Sequence, residues 1–257
     1  MHIVAIHSLN EDKESLAKDL AAVLGATVYE ALARLRVPGS GPMTVAVLAE
    51  EGRAAGLLER LQAAGFKASV LTAAEIEMEG RASNVRRFSL GERDLAVTAD
   101  NGESTSIPFQ GIELILRGTA IIRDITTETV TSRSVSPGRA VLSGGMMITK
   151  TIKNVREVLT EERQGFVNLY ATGDPALVFR ENTLVYDSLG PELRPSRMLN
   201  FSYLIAELRK RCPAALYDER LLTRAGQVGL LGPSLNPEEH LVAATALLRK
   251  VLCTNPG

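Results

Sequence analysis

Apolar and polar positions along the first third of the chain alternate between two periods. Residues 2–8, HIVAIHS, form a short apolar run of β type. Leu16, Leu20, Val23 and Leu24 then recur at i, i+4, i+7 and i+8, the stripe of an amphipathic helix. Asn10 offers that helix an N-cap, Glu11 and Asp12 fill the turn where the dipole favours acids, and Gly25 stands where it stops. Thr27 and Glu30 have capping-box spacing, which predicts a second short helix, ended before Pro38, Gly39 and Gly41. Residues 43–49 (MTVAVLA) read as a buried strand. Residues 51–64 read as a helix with Ala54, Leu57, Leu58 and Leu61 on one face, and residues 67–71 alternate as a strand. The predicted order is β-α-α-β-α-β, with the helices covering one face of a three-stranded sheet.

The pattern weakens after residue 72, and residues 76–87 are expected to be a linker between a first domain, 1–75, and a second, 88–257. The second reads as β-rich at first. Two short runs flank Gly91-Glu92, and Asn101-Gly102 marks a hairpin turn. Residues 104–122 supply one or two more strands. Residues 166–189 hold three β runs, separated by Gly173-Asp174-Pro175 and by Glu181-Asn182. Six or seven short antiparallel strands at this spacing predict a sandwich or barrel. Ser196 then caps a helix striped by Phe201, Leu204, Ile205 and Leu208, stopped at Pro213. Residues 218–231 are expected to form one helix. Asn236, Pro237, Glu238 and Glu239 announce a last one. The fold class is therefore α+β.

Composition narrows the chemistry. The chain has 257 residues, 45% of them hydrophobic and 23% charged, which is enough apolar material for a sizeable core. Its net charge of −1 lacks the basic footprint of nucleic-acid binding, so no nucleic-acid partner is expected. Cys212 and Cys253 share no metal-ligand spacing, and His2, His7 and His240 are the only histidines, so no metal and no cofactor are expected. No basic leader precedes the first apolar run and no run of about 18 apolar residues occurs, which points to a cytoplasmic location. The stretch VLSGGMMITKT (141–151) imitates a phosphate cradle. Thr149 stands where a P-loop needs glycine before Lys150-Thr151, so the NTPase reading fails. No G-x-G-x-x-G, G-x-S-x-G or H-E-x-x-H occurs, and the chain reads as non-enzymatic, with no catalytic residue.

One charge feature stands out. Residues 129–156 contain no Asp or Glu but hold Arg133, Arg139, Lys150 and Lys153, a concentration of positive potential suited to an anionic lipid or a phosphorylated ligand. Within it Met146, Met147 and Ile148 form an adaptable apolar contact candidate. The aromatics Phe166, Tyr170, Phe179, Tyr186, Phe201, Tyr203 and Tyr217 are expected in a core rather than on a base-stacking platform.

The segment LLERLQAAGFKASVL (57–71), with the element order before it, resembles the C-terminal domain of the bacterial ribosomal stalk protein. That family recruits translation factors through a basic surface on its paired helices. Here Arg34 and Arg36 are the only basic residues of that region, so the resemblance implies the fold and not that role. The β-rich region with its closing helix is similar in element order to a pleckstrin-homology-like domain, an analogy of fold. The expected function is that of an adaptor or regulatory binding protein acting through a sheet edge or a helix groove on a protein partner. The alternative is an anionic membrane surface or phospho-ligand held at residues 129–156, and a third, less favoured reading is an enzyme of unknown class.

Overall fold

A computed structural model describes residues 1–7, 13–35, 41–135, 149–173 and 176–254, with side chains given outside 122–160. The first strand, β1 (His2–His7), is followed by helices α1 (Lys13–Leu24) and α2 (Val28–Leu35), strand β2 (Met43–Leu48), helix α3 (Glu51–Ala63) and strand β3 (Lys67–Thr72). The predicted β-α-α-β-α-β order is therefore present. Asn10, Glu11 and Asp12 lie outside the described residues. The capping box at Thr27 forms: the Glu30 amide donates to Thr27 Oγ1 at 3.2 Å, and the Thr27 amide donates to Glu30 Oε2 at 2.9 Å. The strands make an antiparallel sheet in the order β2-β1-β3.

Ile3, Val4, Ala5 and Ile6 of β1 are all buried, and they face two different cores. Val4 and Ile6 join α1, α2 and α3 through residues such as Leu20, Leu35 and Leu61. Ile3 and Ala5 join a second core on the opposite face of the sheet, with residues from the C-terminal part of the chain. That face carries the last helix of the chain rather than solvent.

Residues 76–87, expected as a linker, lie in helix α4 (Ala73–Gly80) and the first part of strand β4 (Ser83–Leu90), except for Arg81 and Ala82 between them. Strands β5 (Asp94–Ala99), β6 (Ser104–Pro108), β7 (Ile112–Val135), β8 (Thr149–Ala171) and β9 (Leu177–Arg180) follow. The third β run expected before residue 189 is reduced to one bridge, Arg87 with Val185, followed by a short 3-10 turn (Asp187–Glu192). Helix α5 (Arg197–Arg211) is capped by Ser196, which accepts from the Leu199 amide at 3.3 Å. The single helix expected over 218–231 is instead strand β10 (Leu216–Leu221) and helix α6 (Arg224–Leu231). Tyr217, Asp218 and Leu221 are drawn into parallel pairing with β7, which a local helical pattern cannot anticipate. Helix α7 (Pro237–Thr254) closes the described chain, and the Glu238 amide donates to Asn236 Oδ1.

The seven later strands form one mixed sheet, ordered β10-β7-β8-β9-β4-β5-β6, and among the described residues they close into no barrel, where a sandwich or barrel was expected. The β4–β9 and β10–β7 pairings are parallel, which a chain of hairpins could not supply. One face of this sheet holds α5: Phe88, Leu95, Ile115, Val167 and Phe179 meet Phe201, Leu204 and Leu208. The other face, with Leu114, Leu116, Phe166 and Tyr170, meets Leu247, Leu248 and Val251 of α7. Gly118 leaves room for the Phe166 ring within the sheet, because a Cβ there would stand 2.3 Å from Phe166 Cζ. Phe166, Tyr170, Phe179, Tyr186 and Phe201 are all core residues.

Helix α7 is thus shared by both sheets. Its polar residues tie it to the first one as well. Lys250 Nζ donates to the Val70 carbonyl and to Glu75 Oε1, both at 2.6 Å. Arg220, paired with Asp218 at 2.6 Å, donates to the Gly41 carbonyl beside β2. Residues 1–120 and 164–257 accordingly form one compact unit. Residues 121–163 form a second, made from the later part of β7 and the earlier part of β8.

Candidate functional site

The backbones of Arg133, Lys150 and Lys153 lie on β7 and β8, but their side chains are outside the description. Arg139, Met146, Met147 and Ile148 lie outside the described residues altogether. Two other places in the molecule carry the features of a site.

The first is a groove between α2 and α6. The Thr27 cap fixes where α2 begins, and Thr223 does the same for α6 by accepting from the Gly226 amide at 3.1 Å. Tyr29 and Ala33 form one wall, Ala225, Val228 and Gly229 the other, and Met43 and Thr44 at the start of β2 the floor. Ala225, Val228, Gly229 and Gly232 recur at i, i+3, i+4 and i+7, so the α6 wall is mostly small residues and admits close approach. Gly232, at φ +69°, seats the end of this wall on the floor, where a Cβ would come within 2.9 Å of the Thr44 carbonyl oxygen. The groove encloses about 630 Å³, within the usual range of ligand pockets.

Its surface is unusually apolar for exposed protein. Tyr29 is 79% exposed and Val228 43%. The charged groups at the rim, Glu30 and Arg34, have local partners. Arg34 is turned inward to donate to the Val45 carbonyl at 2.9 Å, and Glu30 is held by Thr27. The backbone and hydroxyl hydrogen bonds from Thr27 keep the Glu30 carboxyl below the usual carboxylate range. On the floor, the buried Thr44 hydroxyl has no hydrogen-bond partner. The groove therefore combines apolar walls with one buried polar anchor.

The second place is a buried polar chain beneath α7. On β8, Gln164, Phe166, Asn168 and Tyr170 alternate onto the face that meets α7. Asn168 Nδ2 donates to the Tyr170 oxygen at 3.2 Å, and the Tyr170 hydroxyl donates to Glu79 Oε1 at 2.5 Å. Glu79 Oε2 accepts from Arg249 at 3.3 Å, and the Arg249 guanidinium also lies 5.1 Å from the centre of the Tyr170 ring. Burial, and then the Glu79 charge, push the Tyr170 hydroxyl well above its ordinary pKa, so it stays a donor. With that proton committed to Glu79, the Asn168 amide must turn its NH₂ to Tyr170, which leaves Oδ1 on the other side. Asn168 Oδ1 is buried and has no partner, an arrangement that costs about 1–3 kcal/mol if nothing fills it. A cavity of about 110 Å³ lies beside it, also bordered by Arg180, Asn84 and Val242.

Sequence reading did not find Glu79, Asn168, Arg180 or Arg249. The usable signal was the pair of amides, Gln164 and Asn168, sharing one face of an otherwise apolar strand. The cysteines offer little nucleophilic character: burial raises the Cys212 thiol to about 11 and, first among several causes, raises Cys253 too. Among the described residues no group of three His, Cys, Asp or Glu side chains is placed to hold a metal, and no helix is long and apolar enough to cross a membrane. No protein-family model, curated protein or solved structure matches the chain.

Proposed function

We propose that the protein is a non-enzymatic binding module that seats an apolar segment of a partner protein in the groove between α2 and α6. The observation that carries this is the open apolar groove itself, with Tyr29 and Val228 exposed on opposite walls. An aromatic and an aliphatic side chain left in water at one groove are the usual anchors of a protein interface. The small residues along α6 let a partner's backbone come close, as in helix-in-groove recognition. Thr44 offers that partner one buried hydroxyl for register.

The test uses two substitutions on exposed positions, Val228→Glu and Tyr29→Ala. Both leave the helical circular-dichroism signal and melting temperature of the full chain unchanged. A protein that co-purifies with the wild-type chain from its native cell is then measured against the purified variants. Each variant is expected to weaken that complex by ~10-fold or more, since truncation of an anchor typically costs about 2 kcal/mol. Equal affinity of wild-type and both variants for every co-purifying protein removes the groove from the interface. Native mass spectrometry showing a small apolar molecule in the groove replaces the protein partner with a ligand.

A further inference from the structure

The cavity beneath α7 has a chemistry of its own, separate from the groove. Strand register places its polar groups. Asn168 pairs with Val178, and Val178 with Asn84, so these three lie in a row across β8, β9 and β4. Phe166 pairs with Arg180 in the next row of the same face. Arg180 is therefore the diagonal neighbour of Asn168, at a spacing of about 7–8 Å. Arg180 Nε donates to Asn84 Oδ1 at 3.1 Å, which ties the guanidinium to β4. Among the described residues Arg180 forms no ion pair, and its hydrogen bond to Asn84 uses Nε rather than the terminal nitrogens. At the other end stands Asn168 Oδ1, an acceptor oriented by the Tyr170–Glu79 chain, buried, and without a donor.

We infer that this cavity binds a small carboxylic acid bearing a hydroxyl or amino group on its α carbon. The carboxylate accepts from the terminal N–H groups of Arg180, and the α-hydroxyl or α-ammonium donates to Asn168 Oδ1. One molecule thus satisfies a guanidinium with no ion pair among the described residues and a buried orphan acceptor one diagonal step apart. Neither a bare carboxylate nor a bare alcohol does both. Size agrees: about 110 Å³ is the volume of roughly four waters, or of a molecule of about five or six heavy atoms. Besides Phe166, Leu241 and Val242, which suit a hydrogen or methyl substituent, the lining includes the Glu79 carboxylate, held by Tyr170 and Arg249, which disfavours a second anionic group.

Isothermal titration of the full chain tests this with glycolate, lactate, glycine and alanine, and with acetate and ethanol as probes lacking one group each. At least one of the four acids is expected to bind with a Kd of ~1 mM or tighter, and ~10-fold or more tighter than acetate or ethanol. Hydroxy against amino acids decides which donor Asn168 takes. Arg180→Gln, at the half-buried end of the site, is expected to lower that affinity ~10-fold or more with an unchanged melting temperature. Val242→Phe, from an exposed position on α7, fills the cavity and blocks binding without touching either polar group. The inference is overturned if none of the four acids exceeds acetate. It is equally overturned if binding survives both variants, or if a crystal grown with the acids holds only water in the cavity. Val228→Glu in the groove leaves this titration unchanged, so the two sites fail or succeed separately.

Discussion

At the scale of single residues, burial decides what a polar group can do. His7 ends β1 with its ring buried, opposite Lys67 on β3. Desolvation, and then the Lys67 charge, hold its imidazole below the ordinary value of 6.5. The sign of the resulting pH dependence follows. In the unfolded chain His7 takes up a proton as the pH falls through about 6.5, while in the folded chain it resists, so added protons favour unfolding. The stability it contributes is complete above that value and is lost as the pH falls through the window beneath it toward the folded pKa. Urea unfolding at about pH 7.5 and about pH 5.5 should show the wild-type midpoint falling, and His7→Gln should flatten that fall. An equal fall in the variant would place the pH dependence elsewhere.

At the scale of elements, most of the first sheet was legible because its signals are local. The Thr27–Glu30 box, the α3 stripe and Gly65, at φ +87° after α3, are all short-range features, and each helix begins and ends close to where they put it. The same logic, applied evenly, would have found α4. Thr72 and Glu75 make a second capping box, with the Glu75 amide donating to Thr72 Oγ1 at 3.3 Å and the Thr72 amide to Glu75 Oε2 at 2.7 Å. The helix was missed because AAEIEMEG has little apolar periodicity; what holds it is the cap and the packing of α7. Burial lifts the Glu75 carboxyl, but the hydrogen bonds from Lys250 and Thr72 outweigh it and leave the group below its usual pKa. Thr72→Ala should therefore cost about 1 kcal/mol in a denaturant melt, and Thr72→Ser should restore most of it. No loss on removing the hydroxyl would mean that tertiary packing alone sets the start of α4. The second sheet was less legible for a different reason. Its parallel pairs, β4 with β9 and β7 with β10, join segments with no common local pattern, so β10 was read as helix and the arrangement of the other strands was not found.

At the scale of the whole molecule, the first four apolar residues carried more than a strand assignment. Ile3-Val4-Ala5-Ile6 does not alternate, as a central strand covered on one face would; such a run belongs to a strand buried on both faces. Helices α1 to α3 cover only one of them. The other needs Leu247, Leu248 and Val251, which lie near the end of the chain, and these same residues also cover Leu114 and Phe166 of the second sheet. Residues 1–72 thus have the connectivity of a β-α-α-β-α-β unit and share their second core with the C-terminal part of the chain. A chain ended after residue 82 exposes the Ile3, Ala5 and Leu71 face and loses the Lys250 bonds to β3 and α4. Uncovering large side chains in this way costs about 1.5–3 kcal/mol for each one fully exposed, a large part of the stability of a domain of that size. Residues 1–82 expressed alone should therefore bind a hydrophobic dye and melt without a cooperative transition. The chain ended before Pro237 should fail in the same way, through both sheets at once. A sharp, dye-free melt of the 1–82 fragment would show instead that the first sheet folds by itself and that α7 merely docks on it.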